Sequence, residues 1–324
     1  ILCVTSGLAG ILYSSVELAR RLAAAGHQLT YASFNHVRGL VEDTGLECFE
    51  LDPGRSEQFL EDDACTSVVR RRVHLGERRR NAAASTGVET FARWIGTVRP
   101  DLMLIDGEMH EHIIAASSTA VPTAVMNSFC SIWRHPGLPP PHCFARPGVG
   151  WQGSRFGSFM LWSALCLRKR RTAWMQKLRR VGCDRISVLR QLAESAGFDF
   201  DRETDESQWL IPFTYRTRTA ISLHALDFEF PHQPFAHVRY VGPMVLESRM
   251  DSAMAPAERD ELDDLLGRNR QNPDTHKLIY AAFGSVLSAE RELLNRLVRT
   301  VEERPDRHLV ISLSRRLQPS DLGP

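Results

Sequence analysis

The amino-acid sequence predicts an α/β protein whose central sheet is parallel, doubly wound and covered by helices on both faces. Short apolar runs alternate with segments whose apolar residues recur at helical spacing, beginning with residues 1–5, 14–26 and 28–33. A connection of this length between two strands forms a crossover, and crossovers join parallel strands. We expect Ser14 or Ser15 to cap the first helix.

The same alternation continues through the chain, and a length of 324 residues favours two domains. We predict a Rossmann-like domain over 1–244, a polar linker over 245–276, and the beginning of a second Rossmann-like domain over 277–324. Further strands are predicted at 46–51, 101–106, 122–126, 210–215, 219–223, 237–241, 278–283 and 308–313. Further helices are predicted at 37–44, 87–97, 110–119, 156–177, 185–196 and 289–303.

Composition excludes several classes of protein. The net charge of +1 argues neither for nor against nucleic acid. The arginine run at 70–80 is interpreted as a solvated helix face, with a phosphate or nucleic-acid patch as the alternative, and we predict no nucleic-acid partner. No apolar run is long enough to predict a transmembrane segment. The seven cysteines form no C-x-x-C pair, which indicates reduced thiols, a cytoplasmic location and no structural zinc site.

The first strand is followed by a loop that contains Gly7 and Gly10. Glycines in a strand-to-helix loop allow close approach of a ligand, and a helix N-terminus favours anions. The loop is not G-x-G-x-x-G, and Ser33, Phe34 and Asn35 stand where a dinucleotide-binding protein has an acidic residue. A nicotinamide or flavin cofactor is therefore not predicted.

The loop after strand 101–106 holds two acidic residues, Asp106 and Glu108, and two histidines, His110 and His112. Acids and imidazoles at the carboxyl end of a parallel strand can perform general acid–base catalysis. His110 and His112 point in different directions on a helix, which disfavours a shared metal ion. The alternative is that Asp106 only caps the following helix.

A third loop, Gly284-Ser285-Val286, follows the strand at 278–283. Accessible backbone N–H groups, a serine hydroxyl and a helix N-terminus can together hold a diphosphate. The alternative is a simple strand-to-helix turn.

An aromatic helical face precedes the basic residues 168–171. It is interpreted as core packing, and an acceptor pocket or a membrane surface is the alternative. Its members are Trp151, Phe156, Phe159, Trp162 and Leu165.

Four segments in order resemble family 1 glycosyltransferases, the UDP-glycosyltransferase-like group. They are Leu18 to Ser33, Arg99 to Asp106 with the following Val121-Pro122, Tyr240 to Met244, and Leu278 to Val286. The resemblance implies a GT-B fold, in which one Rossmann-like domain binds an acceptor and a second binds a nucleotide sugar.

This resemblance implies an inverting, metal-independent transfer of a hexose from a UDP- or dTDP-sugar to a hydroxyl of a small, hydrophobic acceptor. The nucleotide sugar is a co-substrate, and no resident cofactor is implied. Asp106 and His110 are the predicted catalytic residues. Gly284, Ser285 and Val286 are the predicted nucleotide-sugar contacts, and Gly10, Ile11 and Trp133 are the predicted acceptor contacts.

Two departures from the family leave alternatives open. Ile11 stands where the family usually has a histidine base, and isoleucine cannot accept a proton. The family's later donor segment is absent, so we expect a fragment that is itself inactive. A catalytically degenerate protein that binds a ligand or a partner protein, and a sugar-nucleotide epimerase, are the alternative functions. Peripheral membrane contact is also left open.

Overall fold

The apolar runs form a parallel sheet whose central strands are buried on both faces. The strands of the first unit are β1 (Leu2–Val4), β2 (Thr30–Ser33), β3 (Glu47–Glu50), β4 (Met103–Asp106), β5 (Thr123–Asn127), β6 (Thr204–Asp205), β7 (Thr214–Tyr215), β8 (Ala220–Ser222) and β9 (Val238–Tyr240). Among the described residues, seven of these strands pair in the order β3-β2-β1-β4-β5-β8-β9, and every pair in this sheet is parallel. β6 and β7 form a separate antiparallel pair. The predicted doubly wound parallel fold is confirmed.

This computed structural model describes residues 1–51, 73–84, 86–130, 132–246, 256–282, 291–313, 320 and 322. The chain divides into two units, Ile1–Leu246 and Glu247–Pro324. The helices of the first unit are α1 (Ala9–Ala24), α2 (Asn35–Glu42), α3 (Leu75–Ala84), α4 (Val88–Val98), α5 (His110–Ala116), α6 (Gly150–Gly153), α7 (Arg155–Arg179), α8 (Arg185–Ala196) and α9 (Phe200–Glu203).

Successive side chains of β1 pack into different cores, because neighbouring residues on a strand point to opposite faces. Cys3 belongs to a cluster with the α1 residues Ile11 and Val16 and with Val41 of α2. Leu2 and Val4 belong to a second cluster on the other face, which includes residues of α4, α5 and α8. Helices thus cover both faces of the sheet, as is usual for parallel sheets.

The first helix begins earlier than the sequence predicts. α1 starts at Ala9, so Ser14 and Ser15 lie inside the helix and cannot cap it. Their hydroxyls instead donate to the carbonyls of Gly10 (3.0 Å) and Leu12 (2.8 Å). Serine is a weak helix former, and here the buried apolar face of α1 outweighs that preference.

The aromatic segment that includes α7 is mostly exposed, so its interpretation as core packing is wrong for most of its members. Trp162 is buried, and its Nε1 donates to the Leu138 carbonyl at 2.8 Å. Trp151, Phe156 and Phe159 are each more than half exposed.

The second unit contains α10 (Pro256–Gln271), β10 (Lys277–Ala282), α11 (Arg291–Glu302) and β11 (Arg307–Ser312). β10 and β11 pair in parallel over six residues. Helix α10 lies in the span expected to be a linker and belongs to this second unit. In the part of the chain that the structure describes, no helix has the length and apolar character needed to cross a bilayer.

His112 is a buried polar side chain of α5 whose ring nitrogens have no hydrogen-bond partner among the described residues. Its ring packs edge-on against Phe91, with 5.0 Å between the ring centroids. Burial lowers the pKa of His112 to about 4.

We expect His112→Leu to raise the free energy of unfolding by about 1 kcal/mol at neutral pH, because two unsatisfied buried nitrogens are removed at similar volume. The pKa of the unfolded imidazole is about 6.5. Wild-type protein therefore loses stability as pH falls from about 6.5 to about 4, because only the unfolded state takes up this proton. The variant should lack this loss.

Urea unfolding at several pH values measures both effects, with His142→Leu at an exposed histidine as the control. A less stable His112→Leu protein at neutral pH would contradict this account of His112.

Candidate functional site

The loops that follow β1, β4, β5 and β8 meet at one edge of the sheet, because all of these strands are parallel. In open α/β sheets ligands bind outside the carboxyl ends of the strands. Ser6, Asp106, Asn127 and Ser222 lie at these strand ends. This edge is therefore the place to look for a functional site in the first unit.

Asp106 connects the loop after β1 to the loop after β4. Its Oδ2 accepts the Ser6 backbone N–H at 3.1 Å and also the Ser6 hydroxyl. Its Oδ1 accepts the backbone N–H of Glu108 at 3.0 Å. The N-cap position of α5 is Met109, so the alternative that Asp106 caps this helix is wrong.

The electrostatic environment of Asp106 combines two opposing effects. Burial raises the pKa of this carboxyl above its ordinary value, and the hydrogen bonds from Ser6 and Glu108 lower it in part. The side chain is almost completely buried, so these fixed donors replace water around it. Asp106 is consequently suited to hold the first loop in one conformation.

His110 points into the core. Its Nδ1 lies 3.1 Å from the Tyr215 hydroxyl, and its ring packs at 4.5 Å from the ring of Phe213. Burial, with a smaller contribution from Arg185, lowers the pKa of His110 to about 3. The structure therefore places this predicted catalytic residue among aromatic side chains, whereas Asp106 bonds to Ser6 and Glu108. The catalytic role of His110 stays a prediction that this geometry does not favour.

Gly10 and Ile11 lie in the first turn of α1 and differ in exposure. Gly10 is exposed, and a Cβ built on it would meet nothing within 4 Å. Ile11 is only 4% exposed and packs into the core on the face of the sheet that α1 covers. A ligand at this edge can thus reach Gly10, while Ile11 is covered by its neighbours.

His36 lies beside the first loop and is not among the predicted site residues. Gly7 has a positive φ of 75°, and a Cβ on Gly7 would be 3.2 Å from two ring atoms of His36. His36 is exposed and follows the carboxyl end of β2. Its position just after a parallel strand could have identified His36 as a candidate, because ligands bind at the carboxyl ends of such strands.

Trp133 forms part of the wall of a cavity of about 470 Å³. The cavity lies between the proline-rich loop after β5 and the loop after β8. Its lining is apolar and aromatic apart from a few polar groups. The lining residues are Trp133, His135, Leu138, Pro139, Pro140, Pro141, Cys143, Phe144, Ala145, Arg146, Glu229 and Phe230.

A buried carboxylate, Glu229, organises one side of this cavity. Its side chain is 1% exposed, and its Oε1 lies 2.6 Å from the Nε2 of His224. The Tyr240 hydroxyl donates to the same oxygen at 3.0 Å, and the Nε2 of His232 lies 3.8 Å from Oε2. The Nδ1 of His224 is 3.0 Å from the Ser222 hydroxyl at the end of β8.

His135 extends this cluster into the cavity wall. Its ring centroid is 3.9 Å from that of His232, and it also stacks on Phe235. Burial and the neighbouring His232 lower the pKa of His135 to about 4, although Glu229 acts in the opposite direction. These residues are not among the predicted site residues, although two histidines and a glutamate follow β8 within ten residues.

The predicted nucleotide-sugar contacts, Gly284, Ser285 and Val286, lie outside the described residues. Their assignment stays a prediction. Among the residues that are described, no group of three His, Cys, Asp or Glu side chains is arranged to hold a metal ion.

One stretch of the chain is similar in sequence to a known protein. An uncharacterized glycosyltransferase of Methanosarcina mazei is 30% identical over 107 residues, which cover 33% of this chain and 27% of that protein. The match therefore spans about a quarter of the relative's length. No protein-family model matches the chain.

Two solved structures extend the similarity over the whole chain. CalG4, the calicheamicin glycosyltransferase, matches with 16% identity and a TM-score of 0.52, covering 100% of this chain and 67% of that one. The glycosyltransferase of kitacinnamycin matches with 17% identity and a TM-score of 0.57, with the same coverage. At such identities the likeness is one of fold. The resemblance in the sequence is confirmed, and the chain has the GT-B fold of these glycosyltransferases.

Proposed function

We propose that the first unit is the acceptor-binding part of a glycosyltransferase, which moves a hexose from a UDP- or dTDP-sugar to a hydroxyl of a small hydrophobic acceptor. The observation that carries this proposal is the cavity beside Trp133, in a chain with a GT-B fold. Its volume of about 470 Å³ is typical of small-molecule sites. Aromatic and proline side chains suit an apolar acceptor.

The polar groups that line the cavity can accept a proton from the hydroxyl of an acceptor. His135 lines the cavity, and its neutral imidazole can accept a proton, although a pKa lowered by burial to about 4 makes it a weak base at neutral pH. Glu229 is close enough to influence this pKa, and a carboxylate stabilises the imidazolium that forms. We therefore assign proton acceptance to His135 in place of the predicted His110, whose ring packs in the core.

Asp106 is proposed to act as a positioning residue. Its hydrogen bonds to Ser6 hold the loop that leads into α1, where Gly10 lies, and we keep Gly10 as an acceptor contact. The acceptor hydroxyl, once deprotonated, attacks the anomeric carbon of the sugar and displaces the nucleoside diphosphate with inversion. The proposal needs no metal ion, and it keeps Gly284, Ser285 and Val286 as the predicted diphosphate contacts. A cytoplasmic location is retained as part of the proposal.

A second candidate function is a catalytically inactive protein that binds the same acceptor. The observation that favours it is the burial of Ile11 in the core at the position where the family usually has its histidine. Both candidates predict binding of a hydrophobic alcohol in the cavity, and only the first predicts turnover.

The experiment that separates them measures binding on this chain and turnover on the protein as its full gene encodes it, with a panel of hydrophobic phenols and alcohols. Quenching of tryptophan fluorescence reports binding near Trp133, and chromatography reports release of UDP or dTDP with formation of a glycoside. Binding with turnover supports the transferase. Binding without turnover supports the inactive protein, and no binding rejects the cavity as the acceptor site.

We expect His135→Gln to lower kcat by about 10²-fold, the lower end of the usual contribution of a general base, because a pKa of about 4 makes His135 a weak base. Acceptor affinity should change less than about threefold, since the cavity remains lined by apolar groups. His142→Gln is the matched control, because this exposed histidine lies in the same loop outside the cavity wall. Equal loss of kcat in both variants would rule out the assignment of His135.

We expect Asp106→Ala to destabilise the protein by about 2–4 kcal/mol, because the buried N–H donors of Ser6 and Glu108 lose their acceptor. Asp106→Asn keeps one carbonyl oxygen and should lose less. Urea unfolding compares the two variants. If Asp106→Ala is as stable to urea as Asp106→Asn, Asp106 does not hold the two loops together. Unchanged turnover in Asp106→Ala would show that Asp106 has no role in the reaction.

A further inference from the structure

The charges of the chain are strongly segregated along the sequence. No aspartate or glutamate occurs between Glu111 and Asp184. The same segment contains ten of the 40 basic residues, so the rest of the chain carries 30 basic and 39 acidic residues. The ten are Arg134, Arg146, Arg155, Arg168, Lys169, Arg170, Arg171, Lys177, Arg179 and Arg180. A nearly neutral protein therefore has one strongly cationic segment.

This cationic segment contains α7, whose outward side is apolar. Phe156 is 64% exposed, Leu167 70% and Trp174 60%. Met160 and Leu178 are exposed as well, and with 3.6 residues per turn all five fall on one side of the helix. We call these five residues the α7 stripe.

The opposite side of α7 is attached to the protein, which fixes the direction of the α7 stripe. The ammonium group of Lys169 donates to the carbonyls of Glu206, Gln208 and Leu210 at 2.6–2.9 Å. Trp162 is buried on the same attached side and bonds to Leu138. The exposure of Phe156, Met160 and Leu167 is therefore imposed by the packing of the helix, whereas residues 174–179 are exposed on all sides.

Basic side chains lie beside the α7 stripe. By helical periodicity Arg170 and Lys177 lie on one flank and Arg171 on the other. Exposed Trp, Phe and Leu with Arg and Lys at their edges are the composition of helices that lie in a membrane interface. Long basic side chains can bind lipid phosphates while the apolar side chains enter the acyl boundary.

We propose that the α7 stripe and its flanking basic residues form a docking surface for an anionic lipid bilayer. Residues 112–183 contain no acidic side chain, and the flanks of α7 are basic apart from Asp201, Asp205 and Glu206 near Arg170, so this surface complements the negative surface of such a bilayer. Nucleic acid would match the charge but would leave the apolar side chains without a partner. The helix would lie in the plane of the interface, and the proposal does not depend on the glycosyltransferase function.

Flotation of the whole chain with lipid vesicles tests the proposal. The vesicles contain phosphatidylcholine alone or with about 30 mol% phosphatidylglycerol. We expect at least tenfold stronger binding to the anionic vesicles, weakened by about 0.5 M salt. Equal binding to both vesicles, or no binding to either, would overturn the proposal.

Two double variants separate the apolar and charged contributions. Leu167→Ser with Trp174→Ser, and Arg170→Ser with Arg171→Ser, should each weaken vesicle binding about tenfold or more. The matched controls, Val73→Ser with Phe228→Ser and Arg202→Ser with Arg239→Ser, change exposed residues elsewhere and should bind like wild type. Salt-sensitive binding that the apolar variant leaves unchanged would show attraction by charge only and overturn the proposal.

A measurement on the wild-type protein avoids any effect of substitution on folding. A photoactivatable phospholipid in the anionic vesicles should label peptides from residues 155–180, as identified by mass spectrometry. Labelling confined to other peptides would contradict docking through α7.

Discussion

The constraint on which the rest of the first unit depends is the burial of a parallel sheet on both faces. Parallel strands need helical crossovers, and the crossovers cover each face with apolar side chains. Leu2 and Cys3 are neighbours on β1 and pack into opposite cores. With both faces filled, the carboxyl edge of the sheet is where polar side chains can collect.

Two polar centres occupy this edge and differ in what they can do. Asp106 accepts hydrogen bonds from Ser6 and Glu108, which are fixed donors, so it stabilises loop geometry. Glu229 is bonded to His224 and Tyr240, and its cluster continues through His232 to the cavity wall. The second centre is the one with a cavity beside it, which is why the proposed chemistry is placed there.

In contrast to the sheet, whose apolar side chains are buried, helix α7 has apolar side chains that are exposed to solvent. Lys169 is held by three backbone carbonyls, and those bonds fix which side of the helix faces the protein. Exposed tryptophan and leucine on one side of a helix favour a partner that covers them, and the absence of acidic residues from the sequence 112–183 favours an anionic partner.

The sequence by itself determined the fold class, because apolar periodicity is a local property and reports directly which runs become strands. It also placed Asp106 at a strand end and Trp133 in a loop. Only the tertiary structure decided where side chains point. Helix α1 begins at Ala9, and this start buries Ile11. The ring of His110 packs against Phe213. The loop after β8 folds back and brings Glu229 and His232 beside His135. Such directions depend on contacts between residues far apart in the chain, which no local pattern records.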